Sequence, residues 1–209
     1  MDASRSAAPR TLAGIVLCGG RSTRMGTSKA HLAFGDETML QRVTRLLGTV
    51  ASPIVVVAAA AQELPPLPAT IAVARDAHEG RGPLEGLRAG LNALPPAIDA
   101  AYVTSCDVPL LVPAFAIRMH DLLAGHDIAV VEIDGFAHPL SAVYRRRVLP
   151  HVEALLAADR RRPAFLFEQV STRRVAPAEL TGADPALLTL RNVNTPEDYQ
   201  EALRVAGIS

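Results

Sequence analysis

Residues 12–29 read LAGIVLCGGRSTRMGTSK. The strand-length apolar run LAGIVL is followed, after Cys18, by two adjacent glycines, two arginines, a third glycine and Lys29. Such a turn can be a simple bend, or it can be a loop whose backbone N–H groups and cations hold the phosphates of a nucleotide. Two familiar phosphate signatures fail. A Walker loop needs glycine followed at once by lysine, whereas Gly26 is followed by Thr27, Ser28 and only then Lys29. The dinucleotide fingerprint needs G-x-G-x-x-G, and Gly19 and Gly20 are adjacent. The second apolar run also ends in AAAAQ, without the acidic residue that a ribose of NAD requires, which argues against a redox Rossmann protein. Three cations within nine residues of the glycine pair favour the phosphate loop over the plain turn.

Outward from this stretch, short Val, Ile and Ala runs alternate with segments of helical period. The pattern predicts strands over 12–17, 53–59, 70–75, 100–105 and 127–132, and helices over 38–49, 84–94, 112–124, 148–157 and 196–206. The strands are almost wholly apolar, as strands covered on both faces must be. The fold class is therefore α/β: an open doubly wound, mostly parallel sheet with helices on both faces. Later, GFAHPLSAVY (135–144) reads as a strand whose proline places it at an edge or makes it begin at Pro139. RRPAFLFEQV and STRRVA suggest a short helix and a strand of an accessory layer. In NVNTPEDYQEAL, Thr195 is a helix N-cap, Pro196 suits the first helical position, and Glu197 and Asp198 complement the helix N-terminus.

The 209 residues suffice for one ordinary core, read as a single domain over 11–209 behind a short disordered tail, 1–10. Net charge is zero, so nothing draws the chain as a whole to nucleic acid or to an anionic membrane, and any bound anion needs a local site. No apolar run is long enough to span a bilayer and the tail lacks a secretory core, so a cytoplasmic location is expected. Cys18 and Cys106 stand at strand ends, lack metal-ligand spacing, and are read as free thiols. Lys29 is the only lysine among the 21 basic residues counted as Lys and Arg. A compact ammonium settles between phosphate oxygens in a way that a planar guanidinium does not copy.

Parallel sheets bind ligands beyond the carboxyl ends of their strands. Four motifs fall there by this reading: the glycine loop, RDAHEGRGPLEG (75–86), SCDVP (105–109), and HPL with the following Arg145–Arg147. In the first, Gly19 and Gly20 open the backbone and Arg21, Arg24 and Lys29 supply charge. In the second, Asp76 and the open backbone at Gly82 and Gly86 suit hydrogen bonding to a base. Asp107 is either a turn cap before Pro109 or a Mg²⁺ ligand beside phosphates; a shared rim with the glycine loop favours the metal. His138 is as consistent with packing as with a substrate contact. The arginine triplets at 145–147 and 160–162 are solvated surface by default, with an anionic second substrate as the alternative.

LCGGRSTRMGTSK resembles the L-x-G-G-x-S-x-R-M-G-x-x-K signature of nucleotidyltransferases. Together with GPLEG, CDVP, HPLSAVY and NVNTPEDY, in that order, it is similar to the molybdenum cofactor guanylyltransferase family from about Leu12 to Leu203. The resemblance implies a Rossmann-like nucleotidyltransferase fold and Mg²⁺-dependent transfer of GMP from GTP to molybdenum-bearing molybdopterin, releasing pyrophosphate. It implies that Leu17, Cys18 and Gly19 line GTP, that Gly20, Arg24 and Lys29 hold its phosphates, and that Asp76 with Gly82 and Gly86 of the GPLEG turn recognises the nucleotide. It further implies that Asp107 binds Mg²⁺, with Asn194 near the metal or second substrate and His138 and Pro139 bordering the molybdopterin side. Arg24, Lys29 and Asp107 would carry the chemistry. The partners implied are GTP, molybdopterin and other molybdenum cofactor biosynthesis or acceptor proteins, not nucleic acid or membrane. Two positions depart from the family: Cys18 stands where alanine is common, and Ala58–Ala61 where an asparagine is usual. The alternatives are cytidylyl transfer to molybdopterin, nucleotidyl transfer to a sugar phosphate, and a non-catalytic nucleotide-binding or cofactor-delivery module.

Overall fold

The computed structural model describes residues 12–18, 28–76 and 82–208. The tail expected over 1–10, and Gly19, Gly20, Arg21 and Arg24 of the glycine loop, lie outside the described residues.

In chain order the elements are β1 (Leu12–Leu17), β2 (Ala33–Phe34), β3 (Glu37–Thr38), α1 (Met39–Gly48), β4 (Ile54–Ala59), β5 (Ile71–Asp76), α2 (Pro83–Ala93) and β6 (Ala100–Ser105). They continue with α3 (Pro113–Leu122), β7 (Ile128–Ile133), β8 (Phe136–Arg145), α4 (Leu149–Ala157), α5 (Ala164–Phe167), β9 (Thr172–Val175) and α6 (Pro196–Ala206). Seven strands form one sheet in the order β5-β4-β1-β6-β8-β7-β9, and β2 and β3 make a separate small hairpin. Only β8 runs against its neighbours β6 and β7; the other adjacent pairs are parallel.

The alternating faces of β1 show how the layers form. Leu12 and Val16 join a cluster with Leu40, Val43 and Leu47 of α1 and Phe115 and Met119 of α3. Ala13, Ile15 and Leu17 join the opposite cluster with Leu84, Leu87 and Leu91 of α2 and Val152 and Leu155 of α4. Burying each large aliphatic side chain of this kind contributes about 1.5–3 kcal/mol. Helix α1 starts where it does because Thr38 and Gln41 form a reciprocal cap: the Thr38 N–H donates to Gln41 Oε1 at 2.8 Å and the Gln41 N–H to Thr38 Oγ1 at 3.3 Å. A third, smaller cluster, with Phe34, Met39, Leu110, Val193 and Ala202 at its centre, seats α6 beside the β2–β3 hairpin.

Three expectations are corrected. The strand carrying Pro139 is neither at an edge nor begun at that proline; β8 lies between β6 and β7. Its ladder with β7 jumps from Val130↔Ala142 to Val131↔His138, so Pro139 sits in the irregularity, where no backbone donor is required of it. The segment STRRVA belongs to no accessory layer, because β9 pairs with β7 as the last strand of the main sheet. Because β8 is antiparallel, Arg145 pairs with Ala100 at the first residue of β6. Arg145–Arg147 therefore lie at the rim opposite to the one expected, and Arg145 and Arg147 form ion pairs with Asp99 and Asp127.

Candidate active site at the sheet's switch point

Chain order along the sheet runs outward from β1 to β4 and β5, then returns to β6 on the other side of β1. The crevice where the order reverses is the usual ligand position in such sheets. Cys18 and Cys106, the residues just beyond β1 and β6, extend this pairing: the Cys106 N–H donates to the Leu17 carbonyl at 3.0 Å, and the Cys18 N–H to the Val57 carbonyl at 2.8 Å. The glycine loop and Asp107 thus leave neighbouring strands at the same end.

Lys29 begins a short 3₁₀ turn, Lys29–His31, at the far end of the glycine loop. Its Nζ donates to Asp107 Oδ2 at 2.9 Å and to Asn194 Oδ1 at 2.8 Å. The two side chains of the ion pair are 14% and 16% exposed, respectively, so the contact is shielded from bulk water yet open to a ligand. Asp107 Oδ1 is held separately, by the Ser105 hydroxyl and by Asn192 Nδ2 at 3.1 Å.

The asparagines arrive from the other end of the chain. Val193 donates its N–H to the Asp107 carbonyl at 2.8 Å, which fixes NVN against the β6 turn, with the Asn192 side chain on Asp107 and the Asn194 side chain on Lys29. Upstream, buried Asp184 accepts from the Leu188 and Thr189 N–H groups and the Thr189 hydroxyl, while Thr189 Oγ1 accepts from the Val112 N–H. Downstream, Asp198 Oδ2 accepts from the N–H groups of Asn194 and Thr195, each at 2.9 Å, so the cap of α6 also anchors Asn194. These backbone donors, with a smaller contribution from the Lys29 charge, hold the Asp198 carboxyl below its usual range.

The thiols of Cys18 and Cys106 are free and buried. The hydrogen bond to Cys106, then burial, then the charges of Cys106 and Asp107 push the Cys18 thiol well above its ordinary pKa. It stays protonated near neutral pH and packs rather than attacks. Leu17 is buried too, with Gly86 packed against it: a Cβ on Gly86 would stand 3.1 Å from Leu17 Cδ1. Gly82 caps α2 with φ 83°, a conformation that favours glycine, and a Cβ there would face the Arg161 carbonyl at 3.8 Å. The exposed triplet Arg160–Arg162 accordingly runs beside the GPLEG turn.

The remaining sequence candidates occupy the same rim at a distance. Asp76 ends β5, three strands from β6, or about 14 Å across the sheet by strand spacing, and is not part of the Lys29 cluster. His138 lies near the start of β8, paired with Val131, and burial pushes its imidazole below the ordinary range, towards the neutral form. Three polar residues of the site were not singled out from the sequence: Ser105, Asn192 and Gln62. Ser105 and Asn192 each stand two residues from a named candidate, the spacing at which extended residues share a face. Gln62 follows the alanine run that lacks the family's asparagine, and its Nε2 donates to the Cys18 carbonyl at 3.2 Å. An amide thus reaches the start of the loop from a slightly later position.

The donor set at Asp107 is made of hard oxygens, one carboxylate and amide oxygen, with a cation already seated between Asp107 and Asn194. That chemistry fits Mg²⁺, which is commonly held by one or two carboxylates together with substrate phosphates. Among the described residues no cluster of three or more His, Cys, Asp or Glu side chains forms a self-sufficient metal cage.

Comparison with known proteins gives the family and the fold. Residues 14–173 match the MobA-like NTP transferase domain. A protein of Mycobacterium ulcerans named probable molybdenum cofactor guanylyltransferase is 35% identical over 206 residues, covering 97% of this chain and 98% of its own. A protein of Methanothermobacter thermautotrophicus with the same name is 35% identical over 193 residues, covering 88% and 95%. The crystal structure of molybdopterin-guanine dinucleotide biosynthesis protein A from Archaeoglobus fulgidus superposes with a TM-score of 0.77 at 20% identity, covering 94% of this chain and 99% of that one, and bears on the fold. The chain belongs to the MobA-like NTP transferase family, among the molybdenum cofactor guanylyltransferases.

Proposed function

We propose that this protein transfers GMP from GTP to molybdenum-bearing molybdopterin, giving the guanine dinucleotide form of the cofactor and pyrophosphate. The observation that carries the reading is the convergence of Lys29, Asp107 and Asn194 at the switch point, beside the glycine-rich loop, in a chain whose full-length relatives carry this name.

The terminal phosphate of molybdopterin attacks the α-phosphorus of GTP in line; a new P–O bond forms as the bond to pyrophosphate breaks. The nucleophile is already ionised near neutral pH, so no general base is needed. The barrier is chiefly the approach of two anions, which positioning and positive charge relieve. Lys29 binds the phosphates as an ammonium, and Arg24 and the Gly19–Gly20 backbone form the rest of the cradle. Asp107, oriented by Ser105 and Asn192, and Asn194 would hold Mg²⁺, which when bound supplies charge to offset that developing on pyrophosphate. Leu17 and Cys18, with Gly19, line GTP. Asp76, with Gly82 and Gly86 of the GPLEG turn, serves the nucleoside end. His138 and Pro139 border the second substrate, and Arg160–Arg162, beside Gly82, offer further charge to an anionic ligand.

The test is pyrophosphate release from purified protein supplied with Mg²⁺, GTP and molybdopterin. Release that needs both substrates, and that falls about 100-fold or more in Asp107→Ala, is expected. Faster turnover with CTP, or none with any nucleotide, would overturn the assignment.

A further inference from the structure

Asp107 presents its two oxygens unequally. Oδ1 accepts from Ser105 and Asn192, which leaves Oδ2 for a cation, and the Lys29 ammonium occupies it. The same ammonium takes Asn194 Oδ1 at 2.8 Å. An ammonium carries donors only, so the Asn194 amide must turn its oxygen towards it. A hard divalent cation seeks the same two oxygens, and an ammonium and a divalent cation crowded onto them repel each other, so each weakens the other's hold. Lys29 is on a flexible four-carbon stem next to the phosphate loop, and phosphate oxygens are an equivalent partner for it.

We propose that Lys29 and a divalent cation exchange at Asp107 Oδ2 and Asn194 Oδ1. Nucleotide phosphates draw the ammonium away, and the metal takes the oxygens it leaves. Metal and nucleotide binding are then coupled, and by linkage each strengthens the other by the same factor. Without nucleotide, Lys29 is a competitor that keeps metal affinity low. This inference rests on reading Asp107 as a metal ligand, and its test is independent of the transfer reaction.

Mn²⁺ alone is titrated into wild type, Lys29→Met, Lys29→Ala and Asp107→Asn, with free Mn²⁺ followed by electron paramagnetic resonance and folding checked by thermal melts. Removing the ammonium should tighten Mn²⁺ binding roughly tenfold or more in both neutral variants, and Asp107→Asn should abolish the site. Equal or weaker binding in the folded neutral variants overturns the exchange, as does Mn²⁺ binding that survives Asp107→Asn. Neither result depends on molybdopterin or turnover, so exchange can fail while GMP transfer stands, and the reverse.

Discussion

Lys29 and Asp107, 78 residues apart in the chain, meet at 2.9 Å where β1 and β6 present their carboxyl ends side by side. The contact joins the last residue of the glycine-rich stretch to the first carboxylate of the β6 turn.

Lys29 should therefore matter more than its neighbours in charge. Lys29→Ala is expected to lower kcat/KM for GTP by about 100-fold or more, and Arg21→Ala by much less. Steady-state pyrophosphate release with varied GTP measures both. Equal losses would remove Lys29 from its special position.

Ser105 orients Asp107 without needing to touch a ligand. Ser105→Ala should leave the melting temperature close to that of wild type and lower kcat by about tenfold, as loss of a partner behind a metal-binding carboxylate commonly does. Ser105→Thr, which keeps the hydroxyl, should recover most of the activity. A kcat unchanged in the alanine variant would show that Asn192 alone suffices.

Asp198 links helix capping to the site through the N–H of Asn194. Its carboxyl is held below the usual range in the folded chain by the backbone N–H groups of Asn194 and Thr195. A lowered folded pKa means that its contribution is fully present above the unfolded value, about 3.9, and is lost as pH falls through the folded value. Asp198→Ala should thus melt lower than wild type at pH 7, and the gap should narrow as the pH falls below about 4. A constant gap across that range would contradict the capping role.

The buried pair Cys18 and Cys106 should be silent towards thiol reagents. In native protein at pH 8 neither should react with an aromatic disulfide reagent on the timescale on which both react after unfolding in guanidinium. Prompt modification of either in the folded state would contradict its burial and the raised Cys18 pKa.

Much of the fold was legible locally. Apolar runs of strand length and helical segments of 3.6 period predicted β1, β4, β5, β6 and β7 and the five long helices to within a residue or two; burial on both faces leaves that pattern in β1, β4 and β6, while the edge strand β5 shows it despite its exposure. Thr195 and Pro196 marked the start of α6 through chemistry confined to one turn. Pro139 misled for a physical reason: a missing N–H forbids a regular central ladder but not a bulged one, and a bulge is set by the partner strand. Arg145–Arg147 were placed at the wrong rim because strand direction depends on which neighbours a strand finds.

The site divides the same way. The glycine loop, Lys29, Asp107 and the asparagine motif were each visible as residues, since phosphate and metal chemistry draws on few side-chain types. Their assembly was not. Val193 hydrogen-bonding to the Asp107 carbonyl, Thr189 accepting from the Val112 N–H, and Asn192 donating to an Asp107 oxygen all join residues whose separation in sequence says nothing of their distance. The sequence by itself determined the element pattern and the chemical inventory, because periodicity and composition are local properties. Only the tertiary structure decided that Asn192 reaches Asp107 and that Lys29 joins Asp107 to Asn194, because those contacts exist only once sheet order and the return of the C-terminal segment bring distant residues to one rim.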